Sequence, residues 1–337
     1  LYNRHWAGFP VLLGRRAFLE AEHCRNDDTG HRADCNGRPV SLAYQMVSFD
    51  MNERWERQTT LEMKAALRES GLELREAVVS EGVVEIADGA FLGMGNLERV
   101  QLPKSLRKIG ALAFYGCKNL KNIDLPKGLK EIGTAAFKDS GLTKIEVPTN
   151  TNKIESEAFA NMSLIRAEIK GRTVGVAMFR GCTRLKKVVL SECVRMLERE
   201  MLRDCTALKT IRLPETLCAI GKNAFRGCSS LSEVAIPQQV MEIGEGAFYG
   251  CGIRYVELSD TLRVVRWQTF AECKHLKTIY LPRAAAQVES DAFSGCDALG
   301  KICLEATLSE WGGLEIGIGN APLLNANIRC GVHRGEL

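Results

Sequence analysis

The chain has 337 residues, of which 45% are hydrophobic and 26% charged, and its formal net charge is +4. This small net charge does not predict a polyanion-binding protein, and no run approaches the roughly 18 apolar residues that cross a bilayer. Because the sequence begins at Leu1 rather than methionine, it does not show whether a signal peptide precedes it.

Residues 1–80 differ in chemistry from the rest, since their basic residues are ten arginines and one lysine. We therefore predict a separate N-terminal cap or module of unknown family. Asp50 to Ser70 is predicted as its helix, with Asn52 as N-cap and Gly71 as stop. Three further elements are expected: a hairpin around Arg32 to Cys35, a strand within Pro39 to Phe49 and an extended strand from Leu72 to Val79.

Cys24, His31 and Cys35 lie close together in this region and could supply soft ligands to zinc. Their spacing matches no standard zinc finger. A Cys24 to Cys35 disulfide and a surface loop with free thiols are the alternatives. We assign no metal and expect no cofactor.

From residue 81 onward, one pattern returns every 21 to 23 residues and gives ten copies. Two positions of the repeat form apolar columns through the copies: an aromatic column, and an aliphatic column five residues earlier. Because one residue type at a fixed offset means one repeated environment, both columns must point inward. The copies begin at Glu81, Lys104, Lys127, Thr149, Gly171, Glu192, Glu215, Gln238, Asp260 and Arg283. The aromatic column is Phe91, Phe114, Phe137, Phe159, Phe179, Leu202, Phe225, Phe248, Phe270 and Phe293.

Each copy also carries an L-x-x-I-x-L segment, whose alternation predicts one half-buried strand per repeat. Proline follows six of these strands and ends the backbone hydrogen bonds to the neighbouring strand, because it has no amide hydrogen to donate. Glycine, asparagine and aspartate dominate the position just before a cysteine column, so a tight turn with positive φ is predicted there. Glycine follows the aliphatic column in only five copies, so no left-handed backbone is expected there and we interpret that glycine as a packing convenience.

This L-x-x-I-x-L-P-x-x-L-x-x-I-x-x-x-A-F-x-x-C pattern resembles the BspA-type leucine-rich repeats of bacterial surface proteins and covers about two thirds of the chain. The resemblance implies a β-rich, right-handed solenoid with a parallel sheet on one face. It also implies an adhesion or host-interaction role without catalysis in the repeats, and a location at the cell surface or outside the cell. A cytoplasmic location stays open.

Seven of the thirteen cysteines share one repeat position, at which other copies have Met94, Ser140 and Met162. A position that accepts methionine is a packing site, so these thiols are predicted to be free and buried. Cys24, Cys35 and Cys303 are expected to react first. The column cysteines are Cys117, Cys182, Cys205, Cys228, Cys251, Cys273 and Cys296.

The fourth and fifth copies are the poorest, so looser packing or a bend is predicted between Thr149 and Val176. After Glu305 the period stops. Residues 306–337 are predicted to form a C-terminal cap over the rung of Phe293 and Leu304, which divides the chain into 1–80, 81–305 and 306–337.

Outward-facing strand positions are where a partner would bind, since the inward positions form the core. Tyr255 and Tyr280 fall on adjacent rungs near Arg212 and Glu257, and we choose these tyrosines as binding anchors. A self-neutralising, solvated face is the alternative. The predicted binding residues are Tyr255, Tyr280, Glu257, Arg212, Lys187, Arg166, Glu168, Lys144 and Glu146.

No G-x-S-x-G, P-loop or H-E-x-x-H motif occurs in the sequence, so we do not expect an enzyme. We expect a monomeric, non-catalytic protein that binds a protein or glycan partner, without nucleic acid and without a membrane span. Two alternatives remain: a regulatory or metal-binding N-terminal module scaffolded by the solenoid, and a purely structural spacer.

Overall fold

The structure, a computed structural model, describes residues 18–20, 25–26, 32–33, 43–46, 75–79, 81–333 and 335. In chain order the strands are β1 Phe18–Glu20, β2 Arg25–Asn26, β3 Arg32–Ala33, β4 Ala43–Met46, β5 Glu76–Val79, β6 Glu85–Ile86, β7 Arg99–Gln101, β8 Lys108–Ile109, β9 Glu131–Ile132, β10 Lys144–Val147, β11 Lys153–Ile154, β12 Arg166–Ile169, β13 Lys187–Leu190, β14 Met196–Leu197, β15 Thr210–Ile211, β16 Ala219–Ile220, β17 Glu233–Val234, β18 Glu242–Ile243, β19 Tyr255–Glu257, β20 Val264–Val265, β21 Thr278–Leu281, β22 Gln287–Val288, β23 Lys301–Leu304, β24 Glu315–Ile316 and β25 Asn327–Cys330. Helix α1, Leu308–Trp311, precedes β24, and helix α2, Ala321–Leu324, precedes β25.

The repeats stack as the rungs of a solenoid, and each face of the solenoid is a set of parallel strands. The main face consists of β5, β7, β10, β12, β13, β15, β17, β19, β21, β23 and β25. Hydrogen-bonded pairs on it are parallel and in register, as in Lys144↔Arg166 and Arg166↔Lys187. The predicted parallel solenoid is confirmed, although the second copy has no assigned strand at residues 121–126.

A second, minor face was not predicted. It consists of the two-residue strands β6, β8, β9, β11, β14, β16, β18, β20, β22 and β24, and all of them except β24 end on a buried aliphatic residue such as Ile109 or Ile132. The repeats therefore contribute two strands each where both are formed. A two-residue strand is too short to show an alternating pattern, so the sequence gives no strand signal there.

The third side of each rung is a turn ribbon around the aromatic column. All ten residues two positions after this column have positive φ, as predicted, including Asp139 and Glu272. The ten residues two positions before it also have positive φ, among them Leu112 with 56° and Ala135 with 51°. The two left-handed residues of each turn lie four positions apart, and every second N–H group from one to the other donates to the next rung. Phe114 N–H thus donates to Ala136 C=O on the next rung at 2.7 Å.

The aromatic column forms the centre of the core as two stacks of rings. Five rings from Phe91 to Phe179 and four from Phe225 to Phe293 lie nearly parallel, with neighbouring centroids 5.0 to 5.9 Å apart. Leu202 separates the two stacks. All ten side chains of this column are fully buried, so the prediction that it points inward is confirmed.

The seven column cysteines are buried and free, as predicted. Each donates its S–H to the carbonyl oxygen of the aromatic-column residue on the preceding rung, at 3.0 to 3.2 Å. Burial raises the pKa of Cys182 and Cys228 to about 12, so both are protonated thiols at neutral pH. Ser140 occupies the same column, and its buried hydroxyl has no hydrogen-bond partner in the part of the chain that the structure describes.

The glycine that follows the aliphatic column has no positive φ, for example at Gly133, which confirms that no left-handed backbone is needed there. In the copies that have this glycine, however, close packing of the rungs requires it, so it is more than a convenience. A Cβ atom built on Gly133 would lie 2.5 Å from the backbone nitrogen of Ala111 on the preceding rung. The rungs approach too closely there for a side chain without a shift of the backbone.

The two poorest repeats are loose on the minor face only. Residues 173–174 have no assigned minor strand, and the Phe159–Phe179 pair is the widest in its stack, at 5.9 Å and 20°. On the main face, β10, β12 and β13 instead form a complete four-residue register. The predicted looser packing between Thr149 and Val176 is therefore confirmed on one side and wrong on the other.

In the N-terminal region, β1 pairs antiparallel with β4, and β4 pairs parallel with β5. The sheet thus continues across the predicted boundary at residue 80, because β5 also pairs with β7. The expected strands near Ala43 and Glu76 are confirmed, and within the expected hairpin Arg32 and Ala33 pair antiparallel with Asn26 and Arg25. The predicted helix from Asp50 to Ser70 lies outside the described residues.

The C-terminal segment covers the last rung. β24 pairs with β22, and β25 pairs with β23. Asn320, which is almost fully buried, accepts a hydrogen bond from Phe293 N–H at 3.0 Å and donates to the carbonyls of Glu289 and Gly317, both at 2.9 Å. Its amide replaces the carbonyl that a further rung would provide to the Phe293 N–H.

Candidate interaction surface

The main face carries the predicted binding residues on its strands, except for Arg212, which directly follows β15. Outward positions such as Lys144, Glu146 and Tyr255 are exposed, whereas the inward residue between the first two, Ile145, is buried. This alternation follows from the two-residue period of a strand that is buried on one side. The main face is therefore a regular array of exposed side chains fixed on a rigid core.

Tyr255 begins β19, and 42% of its surface is exposed. It lies directly opposite Thr278 of β21 in the parallel register. Glu257 lies two residues further along the same strand, on the same side of the sheet. Tyr255 is thus an exposed aromatic ring held on a strand of the main face.

The second predicted anchor, Tyr280, is wrong as an exposed residue, because its exposed fraction is 0%. It forms a small cluster with Cys303 and Val332. The chain turns back at Gly331, Val332 N–H donates to Leu304 C=O at 3.1 Å, and Gly335 N–H donates to Glu257 Oε1 at 3.1 Å.

This returning segment, residues 331–333 and 335, covers the outward side of the last strands. The strand period placed Tyr280 and Cys303 on the outward side correctly, but it gave no sign of the returning segment. Cys303 is therefore also buried, and the expectation that it reacts early is wrong.

Charged residues dominate the middle of the main face. Arg166 pairs with Glu168 at 3.1 Å, and Lys170 pairs with Glu146 and, at 3.8 Å, with Glu168. The hydrogen bond with Lys170 lowers the pKa of Glu146, which is then ionised at neutral pH. Glu146 and Glu168 are thus neutralised, as the alternative of a self-neutralising face expects, whereas Lys144 and Lys187 have no ion pair within the described residues.

Arg212 lies on the rung of β15 and does not act as a close neighbour of Tyr255. Its guanidinium pairs with Glu192 at 3.8 Å, and the rung of β17 stands between β15 and β19. Two rungs correspond to about 9.6 Å. The predicted group of Tyr255, Glu257 and Arg212 therefore shares one face without forming one compact cluster.

The minor face carries exposed apolar residues that the sequence reasoning did not consider. Met241 is 63% exposed and Trp267 is 42% exposed. A shallow groove of about 600 Å³ runs beside Met241, Val264 and Arg266. The signal was present in the sequence, because apolar residues at positions that are polar in most copies mark this surface.

Other classes of site have little support in the described residues. No group of three or more histidine, cysteine, aspartate or glutamate side chains there is arranged to hold a metal ion, and Cys24, His31 and Cys35 form a predicted site outside those residues. None of the described helices is long and apolar enough to cross a membrane. The geometry offers open surfaces and a shallow groove.

Comparison with known proteins supports the repeat architecture. A leucine-rich repeat protein from Bacteroides ovatus ATCC 8483 has a similar solved structure, with 17% identity, a TM-score of 0.51, and coverage of 94% of this chain and 98% of that chain. A leucine rich cell surface protein from Faecalibacterium prausnitzii A2-165 also has 17% identity, with a TM-score of 0.44 and coverage of 88% and 98%. No curated protein matches the sequence.

The profile of the BspA type leucine rich repeat region matches residues 69–186, 168–266 and 197–313. These ranges join into one stretch that contains all ten repeats and most of the chain. They also include the strands of both faces from β5 to β23. The chain belongs to the family of BspA type leucine rich repeat proteins.

Proposed function

We propose that this protein is a non-catalytic binding protein that presents its main face to a protein or glycan partner. The observation that carries the proposal is the exposure of Tyr255 on a strand whose inward neighbour, Val256, is fully buried. The fold therefore fixes the position of an exposed aromatic ring without using it for the core. Exposed aromatic residues of this kind dominate many binding interfaces.

Family membership supports the rest of the proposal. Repeats of this type serve as scaffolds for binding, so we propose a monomer at the cell surface or secreted from the cell, without catalysis in the repeats. The N-terminal metal-binding alternative stays a prediction. Metal analysis of the purified chain tests it, because a zinc content near one per chain would support Cys24, His31 and Cys35 as ligands.

The main test compares two equally exposed aromatic residues on different faces. Tyr255 and Trp267 are each 42% exposed, so Trp267→Ala is a matched control for Tyr255→Ala. Purified protein is applied to an array of extracellular matrix proteins and glycans, and affinities are measured for the ligands that bind. Tyr255→Ala should weaken binding by about 2 kcal/mol, as truncation of a central interface residue does.

The control separates the two faces. Loss of affinity in Trp267→Ala with unchanged affinity in Tyr255→Ala would contradict the proposal. It would instead place the site on the minor face, at the groove that Trp267 lines together with Gln287 and Glu315, which is the second candidate because of the exposed Trp267 ring. Circular dichroism of both variants shows whether the fold is intact.

A further inference from the structure

The main face has a strong local excess of positive charge that the net charge of +4 conceals. Six exposed cations lie at the starting ends of four successive strands, β10, β12, β13 and β15. We call this set the basic strip. It consists of Lys144, Arg166, Arg184, Lys186, Lys187 and Lys209.

The parallel register arranges the basic strip along the axis of the solenoid. Lys144 is the register partner of Arg166, and Arg166 is the register partner of Lys187. Lys209 directly precedes Thr210, the first residue of β15, and continues the strip by one more rung. Neighbouring rungs are about 4.8 Å apart, so a linear molecule along the axis meets a cation at every step.

Most of these cations form no ion pair with a described acidic residue. Only Arg166 forms an ion pair with a described residue, at 3.1 Å to Glu168. Cations elsewhere on the solenoid are often paired closely, as Lys108 is with Glu85 at 2.6 Å and Lys138 with Glu157 at 2.7 Å. The five unpaired cations of the strip are available to an anionic partner.

The surroundings of the strip also distinguish among anionic partners. The aromatic residues between positions 144 and 212 are Phe159 and Phe179, and both are buried. The strip therefore has no stacking platform for the bases of single-stranded nucleic acid. Lysine ammonium groups act as point charges, and arginine adds a fork that fits carboxylate or sulfate oxygens.

We infer that the basic strip binds a linear polysaccharide that carries sulfate or carboxylate groups. This inference rests on the proposed function and specifies a glycan partner for the main face. The polysaccharide lies along the solenoid axis across the strand starts, with its anionic groups beside Lys144, Lys187 and Lys209.

The experiment measures binding of the full chain to heparin, a sulfated polysaccharide, over a series of salt concentrations. The triple variant Lys144→Gln/Lys187→Gln/Lys209→Gln should lose affinity by about tenfold or more and show a weaker dependence on salt, because fewer counterions are released. The control Lys104→Gln/Lys127→Gln/Lys130→Gln removes the same charge from exposed residues outside the strip. Its affinity should stay within about twofold of the unmodified chain.

Three outcomes would overturn the inference. One is an equal loss in the control, which would show an effect of net charge alone. Another is tighter binding of a single-stranded DNA of matched charge than of heparin. The third is no heparin binding by the unmodified chain. If a different partner still binds in a Tyr255-dependent way, only this inference fails, and if Tyr255→Ala also has no effect, the proposed function fails with it.

Discussion

Asn320 closes the open end of the turn ribbon, and its removal should destabilise the last rung. Asn320→Ala leaves the buried Phe293 N–H without its acceptor and deprives two carbonyls of a donor. An orphaned buried donor costs about 1–3 kcal/mol, and each further hydrogen bond contributes about 0.5–1.5 kcal/mol. We therefore expect a loss of about 3 kcal/mol in the stability of the C-terminal rungs.

Two measurements show where in the solenoid the stability is lost. Hydrogen exchange should show much faster exchange of the Phe293 amide, whereas the amide of Phe114, which lies in the other stack of rings, should change little, because each rung contacts only its neighbours. Urea unfolding reports the total effect. The matched control is Asn325→Ala, since the Asn325 side chain is exposed and should change stability by less than about 0.5 kcal/mol.

A second variant tests the direction of the hydrogen bonds. Asn320→Asp keeps an acceptor for Phe293 N–H but places a carboxylate oxygen near the carbonyls of Glu289 and Gly317. This repulsion and the burial raise the pKa of the new carboxyl group, so its penalty should be greatest at neutral pH and should decrease on protonation. If Asn320→Ala unfolds at the same urea concentration as Asn325→Ala, the capping role of Asn320 is refuted.

Three further predictions concern the core, the thiols and the acid response. Phe225→Ala should cost about 3–5 kcal/mol in urea unfolding, because both neighbouring rungs lose contacts with the ring, and an unchanged midpoint would contradict the stack. With a thiol reagent, the exposed Cys193 and Cys330 should react before the seven column cysteines, which should react only on unfolding, and rapid labelling of the column would contradict its burial. A hydrogen bond from Lys153 is the largest cause that lowers the pKa of Glu155 from 4.5 to about 2. The ionised Glu155 therefore stabilises the fold above about pH 4.5, and this contribution is lost as the pH falls toward 2, so Glu155→Gln should flatten the acid loss of stability in that range, whereas an unchanged profile would exclude Glu155 as its source.

The environment of a repeat column can be predicted from the sequence when that environment admits only one kind of residue. The left-handed position after the aromatic column often holds glycine, asparagine or aspartate, and the structure confirms it in all ten copies. The left-handed position before that column holds residues such as Leu112, Ala135 and Gln268, which normally avoid positive φ. Tertiary hydrogen bonds to the next rung impose the conformation there, so the sequence carries no local signal.

The interaction surface was predictable as far as strand alternation alone decides exposure. That rule places Lys144, Arg166 and Tyr255 correctly on the outside. It fails for Tyr280, because the chain after β25 returns over that residue and covers it. No local pattern encodes the path of such a segment, and the minor face was missed because its strands are only one period of alternation long.

Leu202 interrupts the column of stacked rings, and this interruption affects how the solenoid unfolds. In a repeat protein each rung is held by its neighbours, so the weakest coupling between rungs decides where cooperative melting stops. The ring stack ends at Phe179, and the minor strands are interrupted nearby at residues 173–174. We therefore expect the solenoid to unfold as two cooperative blocks joined at the middle rungs, so that opening that begins at one end stops at this joint.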